Sequence, residues 1–380
     1  MKKITNLFSG LLFLAAFLVA CDKKEDLATF NTGNSVTLTS SATTVAAAPA
    51  DSNNVALRLT WTNPNFATDS ANNKYIVQID STGRNFTKAT TREVTGTLTT
   101  AFLAKELNLI LLNMGFAINT PYDVDVRVIA SYANNNDRKF SNTVKIRMTP
   151  YKVPPKIALP ASGNLFIVGS ATAGTWNNPV PVPTQQFGRL SETQWGGVFN
   201  LSANGEYLIL PVNGDWSNKY SVANKNLAGL SAGGDFGFNQ NDNIPGPATA
   251  GWYKILLDFQ TGKFTVTPYT GFIASPLYIT GDATPGGWVN NPPMATQTFT
   301  RLNSIQYQIS SLAITGAKQF KLVPTYGSWD NLYGLKAQAD DKLSGTFQYN
   351  AGNNIDAPAI SGNYKIEVNM FDESYKLTKL

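Results

Sequence analysis

Histidine is absent from this chain of 380 residues, and cysteine occurs once, as Cys21. These scarcities exclude whole classes of chemistry within one chain. A His/Cys zinc site, a Ser-His-Asp triad, a Cys-His nucleophile pair and an intrachain disulfide are all ruled out. Charge is sparse too: 14% of residues are charged and the net charge is +5. Removing the two charges of Lys2 and Lys3, which sit in a cleavable leader, leaves the mature chain at about +3. There is no basic stripe, and the aromatics that could bind a ligand lie in Gly/Asn-rich loops. The chain therefore lacks the pattern of a nucleic-acid binder. Nothing in it calls for a metal or a cofactor.

What is abundant is Gly, Asn, Thr, Val, Ile and aromatic residues, a composition that suits strands and turns. The second half contains one domain twice. Leu165-Phe-Ile-Val-Gly-Ser-Ala-Thr-Ala-Gly-Thr-Trp176 is answered 112 residues later by Leu277-Tyr-Ile-Thr-Gly-Asp-Ala-Thr-Pro-Gly-Gly-Trp288. The match continues through Arg189 and Arg301, then Gly214-Asp-Trp216 and Gly327-Ser-Trp329, then Asn243-Ile244 and Asn354-Ile355. It ends at Gly251-Trp-Tyr-Lys-Ile255 and Gly362-Asn-Tyr-Lys-Ile366. A site carried twice suits repeated weak binding of a polymer better than catalysis.

The amino terminus reads as an address. Residues 1–20 combine a basic start with a short apolar run through Phe17, too short for a confident membrane span. The run ends in Leu18-Val-Ala-Cys21, which resembles the lipobox of bacterial lipoproteins. In those proteins the cysteine becomes the lipidated first residue. Asp22-Lys-Lys-Glu-Asp26 resembles the charged tag of surface-exposed Bacteroidetes lipoproteins. Residues 21–34 would then be a flexible tether.

Residues 35–152 read as an immunoglobulin- or fibronectin-like sandwich. Val55, Leu57, Leu59 and Trp61 alternate on one face, so Trp61 is expected in the core. Tyr75–Asp80, Tyr122–Val128 and Val144–Met148 supply further strands. Ala101 to Gly115 reads as a helix ending in a C′ glycine. Thr149 to Lys156 is a Pro-rich linker, and a second boundary falls near Tyr269 to Pro276.

Residues 160–270 and 271–380 then form two small β-sandwiches of the carbohydrate-binding-module kind, so the fold class is all-β throughout. Their closing strands alternate at Tyr253, Ile255, Leu257 and Phe259, and again at Tyr364, Ile366, Val368 and Met370. Trp176, Trp216, Trp288 and Trp329 stand in loops beside glycines, where a side chain is exposed more readily than in an alternating strand. An aromatic face can bury the C–H face of a sugar ring while nearby amides or cations take its hydroxyls. Candidates for those polar contacts are Lys219, Asn243, Lys321 and Asn354; turn chemistry is an equally good use of the two asparagines. Trp195 matches Tyr307 and Trp252 matches Asn363, so neither Trp is placed in the site. Arg189 and Arg301 are expected in structural ion pairs. The loop acids Asp215, Asp242, Asp282 and Asp330 do not form the recurring carboxylate pair that a glycosidase needs.

The lipobox, one sandwich and two modules reading Gly281-Asp-Ala-Thr-Pro-Gly-Gly-Trp288 resemble the SusE/SusF family, outer-membrane starch-binding lipoproteins of the Bacteroidetes starch utilisation system. Ala104-Lys-Glu-Leu-Asn-Leu-Ile-Leu-Leu112 is similar to the helical signature of that family's first domain. The resemblance implies non-catalytic capture of starch or another α-glucan through paired aromatics plus Lys, Arg or Asn, for passage to a SusC/SusD-like importer. Trp288, Trp329, Lys321 and Asn354 fit that pattern. Trp176 and Trp216 fit it in the first module, where Leu208 stands at the Lys position. The same architecture could bind a fructan, a pectin or a host glycan, or serve as a structural lipoprotein without a ligand.

Overall fold

The computed structural model describes residues 31–67 and 69–380. Cys21, the leader and most of the tether lie outside these residues. Two compact units divide the chain, one up to Pro154 and one from Pro155 onward.

The first unit is a two-sheet β-sandwich. Leu38–Ser40, Val55–Trp61 and Thr99–Leu103 make one sheet. In the other, Lys74–Ser81 pairs with Tyr122–Ser131 and Thr90–Thr95, and Tyr122–Ser131 pairs in turn with Val144–Met148. Leu57, Leu59, Trp61, Tyr75, Val77 and Val126 meet between the sheets. Val55 departs from the expected alternation. A bulge between Val55 and Leu57 shifts the register and leaves Val55 52% exposed. The helix is Ala104–Asn113, shorter than expected, because Ala101, Phe102 and Leu103 pair with the Val55–Trp61 strand instead. Glu106 accepts the Leu103 N–H at 2.8 Å at its start, and Gly115 follows its end at φ +82°. Gly33 donates to Asp137 and Asn34 donates to the Pro64 carbonyl, so the sandwich takes hold of the chain before Ser35. The stretch expected as tether is therefore shorter at its far end.

In the second unit the two copies share one topology. In the first copy, Phe166–Val168, Glu206–Leu210, Tyr220–Ser221 and Gly237–Phe238 form one sheet, with Ile244–Pro245 on Glu206–Leu210. The facing sheet runs Gly188–Arg189, Gln194–Leu201, Gly251–Asp258, Lys263–Pro268 and Gly233–Asp235. Ile167, Trp195, Phe199, Tyr207, Ile209 and Phe259 fill the space between, each such side chain contributing roughly 1.5–3 kcal/mol by burial. In the second copy the same two layers are joined edge to edge. Leu277–Thr280 pairs with both Thr298–Arg301 and Gln319–Val323, closing the strands into a ring.

The copies dock on each other. Trp252 points away from its own core and packs with Leu190 and Phe371 against the core of the second copy. Ser304 donates to the Gln186 carbonyl at 2.8 Å, and Lys254 approaches Glu373 at 3.8 Å. Trp195 is buried and donates to the Gly163 carbonyl; its counterpart Tyr307 donates to Ala274.

Candidate functional site

Each copy builds one site from two loops that follow its first strand and its Glu206–Leu210 or Gln319–Val323 strand. The first loop is shaped from below by a buried glutamine. Gln297 accepts the Gly286 N–H at 2.8 Å and donates to the Ile279 carbonyl at 2.7 Å and the Thr284 hydroxyl at 3.0 Å. Gln185 makes the same three bonds with Gly174, Ile167 and Thr172, at 2.8, 2.7 and 3.1 Å. Neither residue stood out in the sequence, although they recur 112 positions apart just before the matched Phe187 and Phe299. The glycine opening each loop is also obligatory. Gly169 and Gly281 lie at φ +149° and +146°, and a Cβ on either would stand 2.2 Å from the backbone oxygen of Glu206 or Gln319.

An asparagine ties the two loops together. Asn290, two residues after Trp288, accepts the Gly327 N–H on its carbonyl at 2.8 Å and donates its side-chain amide to the Gly327 carbonyl at 2.9 Å. Trp329 follows two residues on. In the first copy Asn178 accepts the Gly214 N–H at 2.7 Å, and Asn213 clasps Val180 through both its amide oxygen and nitrogen. The clamps bring the two tryptophan loops of each copy side by side. The side chains stand out from them: Trp176 is 39% exposed, Trp216 48%, Trp288 40% and Trp329 48%.

The floors beneath the loops differ. In the second copy, Tyr278, Thr280 and Lys321 alternate outward while Ile279, Phe320 and Leu322 face the core. The Thr280 hydroxyl holds the loop by bonds to Gly287, to the Val289 carbonyl and to the Val289 N–H. The Lys321 ammonium donates to the carbonyls of Ala351 and Gly352 at 3.0 and 2.9 Å, leaving one of its three N–H groups for a ligand. Partial burial lowers its pKa from the usual lysine value. In the first copy the matching residues are Phe166, Val168 and Leu208. With Val180 and Leu210 they form a separate apolar cluster under the loop. One residue beyond the Ile209–Tyr220 pair, Lys219 stands on this same outer side.

The two asparagines proposed for hydroxyl contacts already have partners. Asn243 donates to Glu206 at 2.7 Å, and Asn354 donates to Gln319, the matching position, at 2.8 Å. They serve as the same structural tie in both copies, displaced along the strand from the Trp loops. Glu206 also pairs with Lys225 at 2.7 Å, and these two donors hold its carboxyl below the usual range. Arg189 and Arg301 are not in ion pairs among the described residues. Arg189 donates to the turn carbonyls of Ser191 and Glu192, Arg301 to those of Asn303 and Ser304, and each guanidinium lies over Trp195 or Tyr307. A guanidinium fork fits two adjacent carbonyls, so the turn takes the place of a carboxylate.

The loop acids are engaged locally. Asp282 accepts the Gln319 N–H and approaches Lys318, Asp330 bonds Ser328, and Asp215 accepts the Ser217 N–H. Among the described residues no cluster of three or more His, Cys, Asp or Glu side chains could hold a metal ion, and no helix is long and apolar enough to cross a membrane.

Residues 23–129 match the family model described as SusE outer membrane protein. The similarity to that family lies in this stretch. It covers most of the first sandwich and its helix, and the Trp loops lie beyond it. Over its length the chain also aligns with the crystal structure of SusF from Bacteroides thetaiotaomicron, at 16% identity and a TM-score of 0.33. That alignment covers 91% of this chain and 77% of the other. The comparison with curated proteins finds no match. The match to the SusE model and the all-β architecture thus agree with the resemblance drawn from the motifs.

Proposed function

We propose that the chain is a non-catalytic, lipid-anchored glycan-binding protein of the bacterial cell surface. It captures starch or other α-glucan chains by stacking on tryptophan and hands them to a SusC/SusD-like importer. One observation carries the reading: in both copies two half-exposed tryptophans stand on loops tied to each other by an Asn–Gly clamp. Paired aromatic faces can bury two sugar rings of one chain, and Lys321 or Lys219 can reach a hydroxyl. Lipidation of Cys21 supplies the anchor, each buried CH₂ contributing about 0.8 kcal/mol. Each site alone should bind at about 0.1–1 mM, and two on one polymer should bind more tightly.

Affinity electrophoresis in gels containing amylopectin, pullulan, dextran, levan or pectin tests the reading, with Trp288→Ala/Trp329→Ala alongside. Retardation by amylopectin that the double variant weakens is the expected result. Retardation only by another polymer would keep the site and replace the substrate. Free migration in every gel would reject glycan capture across that panel.

A further inference from the structure

We propose that Tyr326 is a third sugar-stacking platform, which makes the site of the second copy longer than that of the first. The inference rests on the reading of the paired tryptophans as a glycan site. Tyr326 is 44% exposed and immediately precedes Gly327, the residue clamped by Asn290. Its ring leans on Tyr278 at a centroid distance of 5.2 Å and a tilt of 52°. Tyr278 is itself buried, and it shares its outward face with Thr280, whose hydroxyl holds both sides of Trp288. A closed circuit therefore joins the three exposed rings. It runs from Trp288 through Thr280, Tyr278, Tyr326 and Gly327 to Asn290, with Trp329 two residues further on. A ring supported from behind and open in front loses little freedom on meeting a ligand.

The first copy cannot do this. Its residue at the matching position is Asn213, whose amide is consumed in clasping Val180. In the second copy Asn290 carries the clamp from the opposite loop, which frees position 326 for a large aromatic. The two copies should accordingly differ in the length of chain they prefer. The first offers two aromatic faces, the second three.

The test is calorimetric titration of the full chain with maltotriose and maltoheptaose. A Trp176→Ala/Trp216→Ala background removes the first site. In that background Tyr326→Ala should weaken maltoheptaose binding about fivefold to tenfold, the effect of one aromatic contact. It should change maltotriose binding by less than about twofold, because a trisaccharide does not need all three platforms. Tyr326→Phe keeps the ring and should retain the maltoheptaose affinity. Equal affinities with and without Tyr326 would overturn the proposal while leaving the paired-Trp site intact. Equal weakening of both sugars would also overturn it, as loop collapse rather than a lost platform. If the background protein binds neither sugar, and Trp288→Ala/Trp329→Ala changes nothing, the α-glucan reading itself fails and this inference falls with it.

Discussion

Asn290 grips Gly327 from both sides, accepting its N–H at 2.8 Å and donating to its carbonyl at 2.9 Å. Among the described residues, no other reciprocal pair links the Trp288 loop to the Trp329 loop. Asn290→Ala removes the side-chain half and keeps the backbone half. The change should cost roughly 0.5–1.5 kcal/mol of stability, the net worth of one hydrogen bond. Glycan affinity should fall further than that stability loss suggests, because the two rings lose their fixed spacing. Denaturant unfolding beside a titration with maltoheptaose measures both. Undiminished binding would mean that the tryptophans act independently.

Gln297 sets a harder constraint. It is fully buried and its amide satisfies Gly286, Ile279 and Thr284 at once. Gln297→Ala would strand those groups under the loop, at roughly 1–3 kcal/mol for each one left unpaired. Gln297→Glu keeps the acceptor and loses both donated bonds, so it should also destabilise strongly. Gln185→Ala should behave alike in the first copy. Thermal unfolding of the variants checks this; shifts of less than about 2 °C would show that water replaces the amide without cost.

The strands that alternate cleanly were legible from the residues alone. Ile255, Leu257 and Phe259, and likewise Tyr364, Ile366, Val368 and Met370, sit where period-two reading puts them. Two departures have local causes. Val55 is displaced by a bulge, and Ala101–Leu103 are drawn out of the helix by pairing with a strand distant in sequence. No local pattern encodes either event. The exposed tryptophans could be read because glycine and loop context flag them. Gln185 and Gln297 were not, since a glutamine in a polar loop looks solvated until the fold closes over it. Their recurrence at the repeat offset was the only signal. The arginines and the two recurring asparagines show the limit of that signal. Recurrence marks a constraint, but turn carbonyls take the arginines here in place of a carboxylate, and the asparagines bond the matched strand residues Glu206 and Gln319.

Glu206 gives the first copy an acid-sensitive contact at a position where the second has a neutral amide. Lys225 and Asn243 both bond its carboxylate and depress its pKa, while the matched position in the second copy is the non-titrating Gln319. A carboxyl whose pKa is lower in the folded state adds stability above its unfolded pKa. That contribution is lost as pH falls through the folded value. The melting temperature of wild type should therefore exceed that of Glu206→Gln near neutrality by a margin that shrinks as pH drops below about 4.5. Asn243→Ala should shift the wild-type acid transition upward by removing one of the two donors. A margin independent of pH would mean that Glu206 contributes only through its shape.

The Lys321/Leu208 contrast can be tested by exchange. Lys321 is half-buried against the carbonyls of Ala351 and Gly352, whereas Leu208 belongs to the apolar cluster with Phe166, Val168, Val180 and Leu210. Lys321→Leu should weaken glycan binding at the second site by about 5- to 20-fold, the loss of one charge-assisted hydrogen bond of roughly 1–2 kcal/mol. Its effect on stability depends on pH. Burial lowers the lysine pKa in the folded state, so the unfolded chain binds more protons in the window just below the ordinary value. Wild-type stability relative to Lys321→Leu should thus rise as pH climbs through that window. Leu208→Lys is not the mirror image. It would place an ammonium among four apolar side chains with Val168 in the position of Thr280, so it should destabilise by roughly 2–5 kcal/mol without creating a stronger site. Paired unfolding and titration experiments on the two variants separate these outcomes. A gain of affinity in Leu208→Lys would show that the floors are interchangeable and that the loops alone set the difference between the copies.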